Sequence, residues 1–383
     1  MTNWVFLLPP SGGARQVAEN LLNAFRKIYS TESLHVFDCK KYLSAFDILL
    51  KKPDETITVD LLNQSLVVQC LQYDCTHLFI PALCPVTLFT LNLLQKLHII
   101  TIHWFVEDYR RASYWQEVIH GYTWFLAVQK GLLQDYCTQN GIKFAYVPTA
   151  ASPAYIMGEQ VTSAPAIKAD ISFIGIPTSY RVAVLEYLSS QGISLALAGD
   201  GWQAYTGPLS PYIVTDRWID SQQAASIQKQ TPVSINLSFK EPGDDRTDIQ
   251  ISPRVYDILA GGTILLSENV PLLHETIGEC HYYTFTNMEE ALQKVKTILS
   301  ISTSDDIRNK IRQNREIIIR NHTWEKTRRT NYRSVCLDSL LVLLIELKWI
   351  PDLERPKTVW NRFELPCANL GQYLILKNLI AHI

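Results

Sequence analysis

Short apolar runs alternate with longer amphipathic stretches in the first half of the chain. The runs have the length of strands and predict strands at Trp4–Leu8, Ser33–Asp38, His77–Pro81, Ile99–Trp104, Phe125–Val128 and Phe144–Val147. The stretches between them place apolar residues at helical spacing and predict helices at Ala14–Ile28, Val59–Tyr73, Pro85–Lys96 and Gly131–Asn140. Alternation of this kind is typical of βαβ units, so we expect a parallel, doubly wound sheet.

A small, polar, proline-containing segment, Met157–Ala169, interrupts this alternation and predicts a linker. Further strands are then predicted at Ile171–Gly175, Ser194–Gly199, Val233–Leu237, Thr263–Ser267 and Tyr282–Phe285. Helices are predicted at Tyr180–Gln191, Gln222–Gln230, Pro253–Ala260, Met288–Leu299 and Asp305–His322, and further helices at Thr323–Trp349 and Leu370–Ile383. We therefore expect one α/β domain at 1–160, a second at 161–335, and a helical tail at 336–383.

Composition narrows the class of protein. With 383 residues the chain is too long for one ordinary core, and 47% apolar with 19% charged residues is typical of a well-packed soluble protein. The net charge of -2 argues against a nucleic-acid-binding protein, which would usually be basic. The eight cysteines form no C-x-x-C pair, so we expect reduced, buried thiols and a cytoplasmic location rather than a zinc site.

Two further observations concern membranes and secretion. The N-terminus has no basic region and only a short apolar run, so it predicts a first strand rather than a signal peptide. No stretch reaches the roughly 18 to 20 uninterrupted apolar residues of a membrane helix. The nearest, Leu88–Val106, is interrupted by polar residues, and a peripheral membrane contact stays open.

The segment Ser252–Ser267 has the strongest chemical pattern. Ser252 before Pro253 predicts a helix start, with Arg254 in the first turn beside unpaired backbone N–H groups. Such a position suits a diphosphate, and Asp257, about one turn later, can accept hydrogen bonds from ribose hydroxyls. The alternative is an ion pair between Arg254 and Asp257 on the surface of a capped helix.

Glycine-containing strand ends supply weaker candidates. Ser11, Gly12 and Gly13 follow the first predicted strand and open a helix, so a ligand could approach the backbone there; an ordinary tight turn is the alternative. Gly175 and Gly199 each close a strand and could make room for a nucleotide or simply form turns. Arg181 could point at phosphate or be a solvated helix residue.

Several segments resemble one family in chain order. Ser252, Pro253, Arg254, Tyr256, Ala260 and Gly262 match the S-P-R-v-F/Y-E-x-x-A-x-G segment of CgeB-like glycosyltransferases. Supporting segments are Ile171–Gly175 with Arg181, Leu195–Trp202, Asn321–Arg328 and, more loosely, His103–Asp108 and Tyr122–Gly131. The resemblance covers most of residues 100–332 and is specific mainly in 171–332.

The resemblance implies a GT-B fold: two Rossmann-like domains facing each other across a cleft, followed by C-terminal helices. The second domain would bind a nucleotide-diphosphate sugar, with Arg254 at the diphosphate, Asp257 at the ribose and Tyr256 in the same site. The first domain would bind the acceptor, with Ser11, Gly12 and Gly13 in the acceptor loop. Two departures stand out: Asp257 replaces the usual Glu, and Ile249 occupies the place of a second acid in related retaining enzymes.

The resemblance also directs the loop after a predicted buried strand toward the cleft. An inverting transferase needs a base for the acceptor hydroxyl, and the candidates are Asp108 first, then Glu107 and His103. Structural pairing with Arg110 or Arg111 is the alternative. No D-x-D triplet exists, so we expect neither a metal nor a cofactor beyond the nucleotide-sugar substrate.

The predicted function is therefore sugar transfer to an acceptor that the sequence does not identify, whether a glycan, a protein or a small molecule. A GT-B nucleotide-sugar epimerase is the alternative enzyme. A non-catalytic nucleotide-sugar-binding protein of the same fold is the alternative outside enzymes. The oligomeric state is left open.

Overall fold

The computed structural model describes residues 3–27, 29–51, 53–110, 112–157, 167–240 and 250–325. Within these ranges the chain forms two compact units, one of residues 3–126 and 136–145 and the other of residues 127–135 and 146–325. The predicted tail at 336–383 and most of the predicted linker lie outside the described residues.

The first unit is built on a six-stranded sheet in the order β2-β1-β3-β4-β5-β6. Its strands are β1 Trp4–Leu8, β2 Leu34–Asp38, β3 His77–Pro81, β4 Ile100–Phe105, β5 Trp124–Ala127 and β6 Lys143–Tyr146. The helices between them are α1 Gly12–Arg26, α2 Cys39–Leu49, α3 Glu55–Gln72, α4 Leu88–Lys96, α5 Trp115–Val118 and α6 Leu132–Gln139. β1 pairs in parallel with β2 and β3, and β3 with β4.

The second unit has a six-stranded sheet in the order β12-β11-β10-β7-β8-β9, and all of its pairings are parallel. Its strands are β7 Ile171–Ile174, β8 Leu195–Ala198, β9 Ile213–Thr215, β10 Val233–Asn236, β11 Ile264–Glu268 and β12 Tyr283–Phe285. Its helices are α7 Pro153–Met157, α8 Ser179–Ser190, α9 Ser221–Gln228, α10 Pro253–Gly261, α11 Pro271–Ile277, α12 Met288–Ile301 and α13 Asp305–Asn321.

Two parallel α/β sheets confirm the predicted fold class. Each predicted strand is present within one residue of its predicted bounds. The pattern missed β9 and the helices α2, α5, α7 and α11. The segment of α2 does carry Tyr42, Phe46 and Leu49 at helical spacing, so the sequence contained a signal for this helix.

The strand order of the second unit determines where a ligand can bind. The chain begins at β7 in the centre, adds β8 and β9 on one side, and then crosses to β10 on the other. Helices that follow neighbouring strands on the two sides of such a crossing lie on opposite faces, which opens a crevice at the carboxyl ends of the two strands. Here that crevice lies at the carboxyl ends of β7 and β10.

Helix α10 is a rigid element beside this crevice. Its apolar face, with Val255, Ile258 and Leu259, is 0–1% exposed and packs into a core cluster of the second unit. The Ser252 side chain accepts a hydrogen bond from the backbone N–H of Arg254 at 3.3 Å, and Gly262 ends the helix in the left-handed conformation at φ 81°. Both ends of α10 are therefore fixed, as the sequence predicts. Across the described part of the chain, no helix combines the length and apolar character needed to cross a bilayer.

Candidate functional site at the carboxyl ends of the second sheet

The Arg254 guanidinium lies at the crossing point of the second sheet. Its Nε donates to the carbonyl oxygen of Ile174 at 2.7 Å, at the end of β7, and its Nη1 donates to Asn236 Oδ1 at 2.9 Å, at the end of β10. The guanidinium carbon lies 5.1 Å from the centre of the Phe173 ring. Burial lowers the pKa of Arg254 to about 10, so the group stays charged at neutral pH.

The free end of this guanidinium faces Gly175. A Cβ built on Gly175 would lie only 2.8 Å from Arg254 Nη2. Gly199 packs against the same residue from β8, because a Cβ there would lie 2.6 Å from the Gly175 carbonyl oxygen. That oxygen accepts a hydrogen bond from Trp202 Nε1 at 2.8 Å. The predicted donor residues Arg254, Gly175 and Gly199 are thus brought together.

Asn236 and Ser267 were not predicted as site residues. Asn236 Nδ2 donates to Ser267 Oγ at 3.0 Å, and the two residues are 5% and 0% exposed. Both lie at the carboxyl ends of adjacent strands, β10 and β11, whose register pairs them. The available signal was a polar residue at the end of an apolar strand.

Arg181, on α8, places its guanidinium among backbone carbonyl oxygens. Its side chain is buried, with the residue only 7% exposed, so it is not a solvated helix residue. The guanidinium donates to the carbonyl oxygens of Leu237, Ser238 and Ile176 at 3.0–3.2 Å. It therefore holds the backbone that follows β10 against the loop after β7.

Glu268 at the end of β11 fixes the same segment from the other side. Its carboxylate accepts hydrogen bonds from the Tyr180 hydroxyl at 2.7 Å and from the backbone N–H of Ser238. Lys240 Nζ lies 2.7 Å from the carboxylate and 4.4 Å from the centre of the Tyr180 ring. Lys240 is the last residue described before position 250.

Asp257 and Tyr256 lie further along α10. Asp257 accepts hydrogen bonds from Ser152, from the backbone N–H at 2.7 Å and the hydroxyl at 3.3 Å. Arg254 and Asp257 therefore bond to different partners rather than to each other. Burial raises the pKa of Asp257 to about 7, although the Ser152 hydrogen bonds favour the charged form. Tyr256 is 0% exposed in the core.

The predicted catalytic residues lie in and after β4 of the first unit. His103 is inside the strand, 1% exposed, with Nδ1 2.8 Å from the Ile80 carbonyl oxygen. Since a carbonyl only accepts, Nδ1 carries a proton, and burial lowers the pKa of His103 to about 3, so the ring is neutral. Asp108 is 5% exposed. Its carboxylate oxygens Oδ1 and Oδ2 accept hydrogen bonds from Arg110 Nε at 2.8 and 3.1 Å.

The Asp108–Arg110 contact is the structural pairing that the sequence left open. Glu107, one position earlier, is only partly buried. Burial is the main cause that raises the pKa of Tyr114, and the nearby Glu107 carboxylate adds to it. Of the three candidates, Glu107 therefore has the carboxylate with more access to solvent.

The predicted acceptor loop is open on its outer side. Gly12 has a left-handed φ of 75°, and a Cβ on Gly12 or Gly13 would meet no atom of the described residues within 4 Å. Ser11 precedes α1 without capping it through its side chain. Arg15, in the first turn of α1, donates to both carboxylate oxygens of Asp38 at 2.8 and 3.0 Å.

Part of the second unit is similar in sequence to a known protein family. Residues 181–330, which include α10 and most of the crevice, match the model of a family described as glycosyl transferase-like. A search of curated protein sequences finds no match.

Solved structures share the fold of nearly the whole chain. A glycosyltransferase from Rickettsia africae aligns with a TM-score of 0.57 and 13% identity, over 88% of this chain and 100% of its own. Sucrose-phosphate synthase from Thermosynechococcus elongatus aligns with a TM-score of 0.51 and 11% identity, and the alignment covers 91% of this chain and 99% of the synthase. A UDP-N-acetylglucosamine 2-epimerase aligns with a TM-score of 0.53 and 12% identity, and the alignment covers 94% of this chain and 100% of the epimerase. At these identities the likeness concerns the fold, and it confirms the predicted two-domain Rossmann-like fold of the GT-B type.

Proposed function

We propose that this protein transfers a sugar from a nucleotide-diphosphate sugar to an acceptor. The observation that carries the proposal is the Arg254 guanidinium, whose Nε and Nη1 are bonded at the ends of β7 and β10 and whose Nη2 lies on the side of Gly175. The family match over residues 181–330 and the resemblance of Ser252–Ser267 to CgeB-like glycosyltransferases support the same reading.

In this proposal the diphosphate lies at the start of α10. The first backbone N–H groups of a helix and its positive end attract anions, and a guanidinium adds charged hydrogen bonds. Arg254 would stabilise the negative charge that develops on the departing nucleotide diphosphate, which is the main catalytic effect we invoke. These groups supply positive charge from the protein itself, so we propose a reaction without a metal.

We assign other roles more narrowly than the sequence did. Arg181 and Glu268 hold the segment after β10 through carbonyl and backbone contacts, so we propose that they shape the donor site without touching the donor. For the acceptor hydroxyl we propose Glu107 as the base, because its carboxylate is partly exposed, whereas Asp108 and His103 are 5% and 1% exposed. The free, buried cysteines support a cytoplasmic location.

The proposal is tested by a thermal-shift screen of nucleotide diphosphates, with UDP, GDP and ADP measured separately. One of them should raise the melting temperature, and Arg254→Ala should abolish that shift. Arg308→Ala is the matched control, since Arg308 has a 62% exposed side chain on α13 and pairs only with its neighbour Asp305 among the described residues. If no nucleotide shifts the wild-type protein, the proposed function is wrong.

A nucleotide-sugar epimerase remains the second candidate, because an epimerase shares the fold over 94% of this chain. The two activities separate by product. A transferase consumes the donor only when an acceptor is added, apart from slow hydrolysis, whereas an epimerase interconverts the nucleotide sugar alone. Donor incubated without acceptor and analysed by chromatography distinguishes them, and binding without either reaction indicates a non-catalytic binding protein.

A further inference from the structure

We propose that Asn236 is a positioning residue for the donor site: it orients the Arg254 guanidinium and keeps its charge available. This inference deepens the proposed function and rests on it for the identity of the ligand. It is carried by a chain of hydrogen bonds across the carboxyl ends of three neighbouring strands, β7, β10 and β11.

The orientation of the Asn236 amide follows from donor and acceptor chemistry. A guanidinium can only donate, so the amide oxygen of Asn236 must face Arg254 Nη1 at 2.9 Å. The amide nitrogen then faces Ser267, and it donates to the hydroxyl oxygen at 3.0 Å. Arg254 thus fixes which way the amide points, and Ser267 supports that orientation by accepting the hydrogen bond from the amide nitrogen.

The Asn236 amide oxygen and the Ile174 carbonyl oxygen hold two of the three nitrogen atoms of the planar guanidinium. With Nε and Nη1 both bonded, the plane cannot rotate without losing a hydrogen bond. The two N–H groups of Nη2 are left on the side of Gly175, whose missing Cβ, only 2.8 Å away, lets the guanidinium approach this closely. A preorganised donor pair of this kind fits two oxygens of a diphosphate.

The neutrality of Asn236 also matters. In the first unit Arg110 pairs with the carboxylate of Asp108, which neutralises its charge. Arg254 instead bonds to an amide and a backbone carbonyl, both neutral, and its acidic neighbour Asp257 is hydrogen-bonded to Ser152 rather than to the guanidinium. A carboxylate at position 236 would hold the guanidinium equally well but would compete with a phosphate for it.

Three variants separate this role from a purely structural one. Asn236→Ala removes the acceptor; Asn236→Asp keeps an acceptor but adds a negative charge. Ser234→Ala is the matched control, because Ser234 lies two residues earlier on β10, is 0% exposed, and shares a 2.6 Å hydrogen bond with Ser172 away from the crevice. UDP binding is measured by calorimetry, with inorganic pyrophosphate as a second probe, and the ligand-free melting temperature is recorded for each variant.

We expect Asn236→Ala to bind UDP about tenfold more weakly, which corresponds to about 1.4 kcal/mol. Asn236→Asp should bind at least as weakly while its ligand-free melting temperature stays near that of the wild type. Ser234→Ala should lose melting temperature without losing affinity. The inference is overturned if Asn236→Asp binds like the wild type, or if the affinity of Asn236→Ala and Ser234→Ala falls equally with their stability.

A ligand-free measurement separates this inference from the proposed function. Phenylglyoxal modifies accessible guanidinium groups, and the label on Arg254 can be followed by peptide mass spectrometry. Modification of Arg254 should be faster in Asn236→Ala than in the wild type and unchanged in Ser234→Ala. If the wild type binds no nucleotide, the proposed function fails while this result still decides whether Asn236 orients Arg254. Equal labelling rates in all three proteins would refute the orienting role.

Discussion

Replacing Gly175 by alanine tests the geometry of the candidate site most directly. The new Cβ would lie 2.8 Å from Arg254 Nη2 and 3.0 Å from Phe173 Cζ. Atoms in good contact lie about 3.5–4.0 Å apart, so the methyl group overlaps both neighbours. Gly175 does not have a positive φ, so its backbone conformation is compatible with an alanine. The strain therefore falls on the guanidinium, since Phe173 is 0% exposed and cannot easily move.

The size of the effect follows from the two hydrogen bonds that hold Arg254. Moving Nη2 away from the methyl group lengthens the bond to Ile174 O, now 2.7 Å, or the bond to Asn236 Oδ1, now 2.9 Å. A hydrogen bond to a charged group contributes about 1.5–3 kcal/mol, so losing one costs about 2 kcal/mol. For a unit of this size we expect the melting temperature to fall by about 4–8 °C, at about 2–4 °C per kcal/mol. Under the proposed function, UDP affinity should fall at least about tenfold.

Differential scanning fluorimetry and calorimetry with UDP measure the two effects. Gly192→Ala is the control, because Gly192 has a left-handed φ of 83° and no described atom within 4 Å of its would-be Cβ. That variant should lose roughly 1–2 kcal/mol through backbone strain alone and keep its UDP affinity. If Gly175→Ala melts and binds like the wild type, Arg254 is not held as we describe.

Other predictions concern single residues. Burial raises the pKa of Asp257 to about 7, well above its unfolded value of about 3.9. Between these two pH values the native state keeps a proton that the unfolded chain releases. The free energy of unfolding of the wild type should therefore fall, relative to that of Asp257→Asn, as pH rises from about 4 to 7. Urea unfolding at pH 5 and pH 8 measures this, and a difference independent of pH would contradict it. Arg181→Met should lower the melting temperature markedly, since it leaves buried carbonyl oxygens unpaired at about 1–3 kcal/mol each; an unchanged melting temperature would show that these contacts are dispensable. Asp108→Asn should lower stability by releasing Arg110, whereas Glu107→Gln should lower sugar turnover at an unchanged melting temperature, and the opposite pair of results would make Asp108 the base.

The sequence alone determined the positions of eleven of the twelve described strands and the start of α10. Strand positions follow from apolar runs bounded by polar residues, which is a local signal, and each predicted strand lies within one residue of the observed one. The capped start at Ser252 and the glycine end at Gly262 are equally local, because capping depends on residues within one turn. Helix α2 was missed although Tyr42, Phe46 and Leu49 have helical spacing.

Only the tertiary structure decided what each polar side chain contacts. Arg254 and Asp257 are three residues apart, yet one bonds to the ends of β7 and β10 and the other to Ser152. Asn236 and Ser267 became neighbours through the pairing of β10 with β11, which lies 31 positions away in sequence. Local spacing places side chains on a helix or strand. Their partners, burial and pKa values depend on non-local packing, and that packing is fixed only when the sheet assembles.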